Sequence, residues 1–218
     1  AATGRSNPGV GSRSSIDTGA SAGNRLGFKG VEDLGNGLKA VFLLEQGFNF
    51  DNGTQGQGGR MFGRQAYVGL AGGFGTAVAG RLYTPFFSLW SAADPFAAGT
   101  VGTANNVWSG AGNDSLLAPT RVDNAVAYVS PSFGGFTVTG AFSNNANAND
   151  SIVSNANNNT VYALLARFQN AAIDAGINYH YIAAGSDGAP TIGGLDTVKS
   201  VSNVTLGGSF DAKVVKIA

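Results

Sequence analysis

The sequence predicts an all-β fold, and within that class a transmembrane antiparallel β-barrel. Three observations carry the prediction. Charged residues are only 12% of the chain, about half the share usual in soluble globular proteins, while Gly (34), Phe (14) and Tyr (6) are plentiful. Apolar and polar residues alternate with period two through segment after segment, the mark of strands with two different faces. The connections between those segments alternate strictly between short and long. One end of an up-and-down sheet is therefore trimmed and the other carries loops.

The same composition removes several function classes. Lys and Arg (13) balance Asp and Glu (13), so nothing attracts a polyanion and no nucleic-acid partner is expected. There is no cysteine, which excludes thiolate metal sites, disulfides and thiol catalysis. No run approaches the ~20 apolar residues of a membrane helix. The chain opens without an initiator Met or a signal peptide, read as a processed or missing N-terminus.

Along the chain, residues 1–24 read as a polar loop. RLGFKG (25–30) puts Arg25, Gly27 and Lys29 on one face, with Leu26 and Phe28 on the other. LKAVFLLEQGFNF (38–50) sets Phe42, Leu44, Phe48 and Phe50 against Lys39, Glu45 and Asn49. GRMFGRQAYVGLAGGFGTAVAGRLYTPF (59–86) holds two β-type runs around a Gly-rich turn, GGFG at 72–75. FTVTGAFSN (136–144) sets Phe136, Val138 and Phe142 against Thr137, Thr139 and Ser143. TVYALLARF (160–168) sets Tyr162, Leu164 and Phe168 against Arg167. IDAGINYHY (173–181) sets Ile173, Ile177, Tyr179 and Tyr181 against Asp174, Gly176, Asn178 and His180. VSNVTLGGSF (201–210) sets Val204, Leu206 and Phe210 against Asn203, Thr205 and Ser209. About ten strands are expected, the last, KVVKIA, cut short by the end of the chain. No segment has a helical period bounded by caps, so no helix is expected. The Asn-rich stretch at 144–159 reads as a mobile loop, and no linker divides the chain.

Short connections are expected at VEDLGNG, GGFG, PSFGG, QNAA and FDA, and long ones at 51–59, 90–120, 143–159 and 183–197. With GGFG as a hairpin turn, Ala66 falls opposite Arg81 and Arg64 opposite Tyr83. Arg64 and Arg81 then become diagonal neighbours on one face, roughly 7–8 Å apart. Two guanidiniums that close cannot sit unpaired in a dry core, so this face is expected to be wet. Tyr67, Val78 and Leu82 are assigned to the other, apolar face, which must look out on lipid.

The same parity places Arg25 and Lys29 on the wet face, and Arg121 with Asp123, Ala125 and Ala127, while Arg25 is expected across from Glu45. Taken singly, each arginine reads as an ordinary salt-bridged surface residue. Together they make a wall where bases outnumber acids, tolerable only beside water and counter-ions. A positive strip along a narrow aqueous passage attracts anions.

Residues 90–120 form the longest connection, and loops of that length are usually functional. Trp90, Phe96 and Trp108 are expected to anchor it. Folded inward, it would set Asp94 or Asp114 against the arginine wall and create a transverse field; the alternative is an external loop with solvated aspartates.

RLGFKGVEDLGNGLKAVFLLEQGFNF (25–50), GRMFGRQAYVGLAGGFGT (59–76), GRLYTP (80–85) and DNAVAYVSPSFGGFTVTGAFS (123–143) closely resemble the trimeric general porins of Gram-negative outer membranes, in their beta-proteobacterial branch. Beyond 143 the resemblance rests on strand and turn pattern, such as LGGSFDAKV. It implies a sixteen-stranded barrel in the outer membrane and a homotrimer surrounded by lipid. It further implies passive diffusion of ions and small hydrophilic solutes, with anions modestly preferred, and no cofactor. It implies that 90–120 folds inward as the constriction loop. Arg25, Arg64, Arg81 and Arg121 match the family's pore-wall arginines; Lys29 matches less closely, and Asp94 and Asp114 are candidates for the loop's acids. Residues 1–218 are then one barrel domain, incomplete at both ends, because sixteen strands need roughly 320 residues.

No enzyme is expected. The one histidine, His180, reads as a polar residue on the wet face; no GxSxG elbow is present, TQGQGGR (54–60) leads into a strand, and the acids are scattered singly. Tyr67, Tyr128, Tyr162, Tyr179 and Tyr181 are read as girdle or subunit-interface residues. The alternatives are an outer-membrane barrel adhesin or enzyme working through its loops, a substrate-specific channel, and a soluble ligand-binding barrel. That last fold would have its polar and apolar faces reversed.

Overall fold

A computed structural model describes residues 16, 18–19, 21–99, 102–103, 119–146, 159–183, 199–212 and 216–217. Its strands are β1 (Asn24–Gly35), β2 (Leu38–Phe48), β3 (Gln65–Gly72), β4 (Gly75–Tyr83), β5 (Arg121–Val129), β6 (Phe136–Ser143), β7 (Thr160–Gln169), β8 (Ile173–Ala183), β9 (Ser200–Asp211) and β10 (Lys216–Ile217). Each pairs antiparallel with the next in the chain, so sequence order is spatial order across one ten-stranded sheet.

Connections alternate as the sequence predicts. The short ones are 36–37, 73–74, 130–135, 170–172 and 212–215; the long ones are 49–64, 84–120, 144–159 and 184–199. β1 runs further than expected, through Glu32 and Asp33 to Gly35. The whole turn is Asn36–Gly37, whose positive φ angles (51° and 77°) match the twist of the flanking strands. The reading of 144–159 as a mobile loop falls almost wholly outside the described residues.

Helix α1 (Pro85–Ala93), just after β4, was not expected. Thr84 caps it, its hydroxyl accepting from Phe87 N at 3.0 Å, and Pro85 starts the first turn with its φ already helical. Nine residues are too few to display a helical period, and a helix this short is held by packing rather than propensity. Phe86, Leu89 and Trp90 are buried.

The helix lies on one face of the sheet, against β7, β8 and β9. The wall is cut to receive it. A Cβ added at Gly176 would stand 3.0 Å from the Leu89 side chain, and one at Gly207 3.2 Å. Phe86 meets His180 edge-on, with ring centroids 5.4 Å apart. His180, Asn178, Leu165 and Thr205 are buried on this face, while Tyr162, Leu164, Tyr179 and Leu206 stand exposed on the other.

The facial assignment of one hairpin is corrected. Tyr67, Val78 and Leu82 do not look outward. Leu82 is buried with Val122, Ala125, Val161 and Ile182, and Tyr67 and Val78 pack against that cluster. Val68 and Leu70 are the exposed residues of β3. Strict alternation fails here for two local reasons. Arg64 precedes the first residue of β3, and the β4–β5 register shifts between Gly80 and Leu82. Gly80 has φ 140° and Asn124, on the facing strand, has φ 48°.

Candidate functional site: an arginine cavity beside the helix

The β3–β4 register is the predicted one, with Ala66 opposite Arg81. On the other side, β2 brings Glu45 opposite Gln65, next to Arg64. Arg64 Nε donates to Glu45 Oε1 at 2.5 Å, and its Nη2 donates to the Tyr83 hydroxyl at 2.8 Å. Arg121 Nη2 donates to the same hydroxyl at 3.1 Å, and its guanidinium carbon lies 4.7 Å from the centre of the Tyr83 ring. One phenol oxygen thus accepts from two guanidiniums and fixes their spacing.

Asp123 organises a second cluster. Arg81 Nη1 donates to its Oδ1 at 2.6 Å and Arg60 Nη1 to its Oδ2 at 2.7 Å, while Arg81 Nε donates to the Gly63 carbonyl at 2.7 Å. Among the described residues, the two clusters hold five arginines, if Arg25 is counted beside the first, and two carboxylates. Arg25, Arg64 and Arg121 line one cavity of about 520 Å³ together with Tyr83, Phe87 and Trp90.

The remaining candidates are placed as follows. Arg25 pairs with Gly47, not Glu45, because Glu45 sits two residues along, opposite Gly27, and is engaged by Arg64. Lys29 lies opposite Leu43 and does not line the cavity. Arg81 stands beside the cavity, tied to Asp123. The expectation that Arg64 and Arg81 are unpaired is corrected. Each finds a carboxylate on the strand flanking its hairpin, Glu45 from β2 and Asp123 from β5. Asp94 ends α1 and accepts from Phe96 N at 3.0 Å, Ala98 N at 3.0 Å and the Thr103 hydroxyl at 2.9 Å. It shapes its own turn and is not among the residues lining the cavity. Asp114 lies outside the described residues.

Tyr83, Arg60 and the aromatic side of α1 were missed. The Thr84–Pro85 pair was the available signal, since it marks a helix start and makes Tyr83 the last residue before a change of direction. Nothing in the sequence pointed to Arg60, whose partner lies 63 residues away.

Comparison with known proteins agrees with this architecture. The family model for Gram-negative porins matches residues 2–217. An outer membrane porin of Bordetella pertussis is 37% identical over 214 residues, covering 95% of this chain and 53% of its own length. A major outer membrane protein P.IB of Neisseria gonorrhoeae is 51% identical over 75 residues, 33% of this chain and 20% of its own. Among solved structures, the anion-selective porin from Comamonas acidovorans superposes with a TM-score of 0.73 at 28% identity, over 92% of this chain and 57% of that one. OmpF of Salmonella typhi superposes at 0.66 with 19% identity, over 88% of this chain and 55% of that one, a likeness of fold alone. The chain spans about half the length of the curated relative that it matches almost throughout. Ten consecutive antiparallel strands, a helix packed on one face of their sheet and a family match over nearly the whole chain converge: this protein belongs to the Gram-negative porin family, the β-barrels of the outer membrane.

Proposed function

We propose that the chain builds one wall of a water-filled diffusion channel for ions and small hydrophilic solutes, with a modest preference for anions, in a homotrimer embedded in outer-membrane lipid. The helix-bearing face is the lumenal one and the bare apolar face meets lipid or a neighbouring subunit. The observation that carries the reading is the gathering of Arg25, Arg64 and Arg121 around a polar cavity on the side that α1 occupies. Arg81 extends the wall next to it. Glu45 and Asp123 offset part of this charge, which leaves a basic excess among the described side chains and makes the preference a modest one. The neighbour from Comamonas acidovorans is described as anion-selective, which supports the sign.

The experiment is a planar-bilayer recording on the full-length native protein under a salt gradient. Conductance steps in triplets with a reversal potential favouring anions are expected. Triplet steps with cation preference would retain the channel and remove the arginines from control of selectivity. Silence from folded, inserted protein would overturn the channel itself.

A further inference from the structure

Resting on the channel reading above, we propose that the arginine cavity is a binding subsite for small aromatic carboxylates. The carboxylate is held by Arg25 and Arg64, and the ring lies along Phe87.

The two sides of α1 carry the inference. Phe86 and Leu89 turn to the wall, where His180, Gly176 and Gly207 receive them. Phe87 and Ser91 lie on the other side, four residues apart, and line the arginine cavity together with Trp90, which packs with Phe86 and joins the two sides. A filter that sorts hydrated inorganic ions by charge has no use for aromatic surface beside its arginines, because such surface offers those ions nothing and is costly to wet. This aromatic surface is also held in place. The Tyr83 ring stacks on Phe87 with centroids 4.4 Å apart, and Trp90 meets Phe87 edge-on at 5.2 Å.

Donor capacity is available beside it. Arg64 commits Nε to Glu45 and Nη2 to Tyr83, which leaves Nη1 without a hydrogen bond among the described residues. Arg25 makes no hydrogen bond or ion pair among the described residues. A molecule with a carboxylate at one end and a flat ring at the other meets both requirements at once, by charge-assisted hydrogen bonds and by ring stacking. Acetate meets only the first, and a neutral ring only the second.

The test is a titration in planar bilayers with full-length native protein in potassium chloride. Sodium benzoate, sodium acetate and benzyl alcohol are added separately, and current blockade is read. Benzoate is expected to half-block at a concentration about tenfold below that of acetate, the scale of one good ring contact. Benzyl alcohol is expected to be weaker than benzoate. Phe87→Leu should bring the benzoate and acetate values together. Arg25→Ser should weaken benzoate severalfold, and this exposed side chain can be removed without threatening the fold. Equal half-blocking by benzoate and acetate, with the salt-gradient reversal potential still favouring anions, overturns the subsite and leaves the channel standing. Blockade by benzyl alcohol equal to that by benzoate overturns it as well. Absence of any conductance from folded, inserted protein overturns both.

Discussion

Asp123 holds two guanidiniums with one carboxylate while itself only 7% exposed. Asp123→Asn leaves Arg60 and Arg81 without their counter-charge and takes a negative charge off the wall. The reversal potential should move further toward anions. Stability in detergent should fall by about 3 kcal/mol, the scale for breaking a buried pair, read from the denaturant midpoint. Arg64→Ser and Arg81→Ser should do the opposite to selectivity, because each uncovers a carboxylate, Glu45 or Asp123. No change of reversal potential in either variant would place both side chains away from the narrow passage. Gly80 is a fourth sensitive position. Its φ of 140° disfavours any side chain, and a Cβ there would stand 2.1 Å from the Ala66 carbonyl oxygen. Gly80→Ala should cost about 2 kcal/mol or more and lower the temperature at which the barrel loses its compact mobility on a gel. At this scale the sequence singled out Arg25, Arg64, Arg81 and Arg121, but neither Arg60 nor the way these charges are neutralised. Both carboxylates come from strands that long connections separate from the β3–β4 hairpin, so no local pattern links them.

Among the elements, strands were legible and the helix was not. Strands announce themselves because each carries one face for apolar surroundings, and GGFG fixes the β3–β4 register by its turn alone. The wrong facing of Tyr67, Val78 and Leu82 has the same root. A rule of alternation was carried across the irregularity at Gly80 and Asn124, where it does not hold. Helix α1 lies between the β7–β9 wall and the arginine cavity, so anything that lifts it off the wall must narrow the cavity. Gly207→Val should therefore push Leu89 away and lower single-channel conductance. Gly73→Ala, at a turn where an added Cβ meets nothing within 4 Å, should leave conductance unchanged.

Across the described residues, sheet order follows chain order without exception, and that regularity made the architecture readable from the loop lengths between the strands. The aromatic positions Tyr128, Tyr162 and Tyr179 are exposed on the bare face, which suits lipid or a second subunit. Tyr67 leaves that group, since it packs against the buried cluster on the helix-bearing face. The trimer proposed above predicts a cross-linked species of three chains in native membranes. Recovery of monomer alone, from protein that still conducts, would remove it.

The position of α1 in the chain also sets an order of assembly. The helix follows β4, yet its berth is built from β7, β8 and β9, which emerge later in the sequence. Strand pairs can zip one after another, since every pairing is between chain neighbours, but the helix has nothing to dock on until the fourth hairpin and the strand after it exist. A folding intermediate holding only β1 to β5 would carry its arginines and no helix seated opposite them. Among β1 to β9, the helix-lined side of the arginine cavity is then a late feature to mature, and intermediates caught before it would have that cavity open.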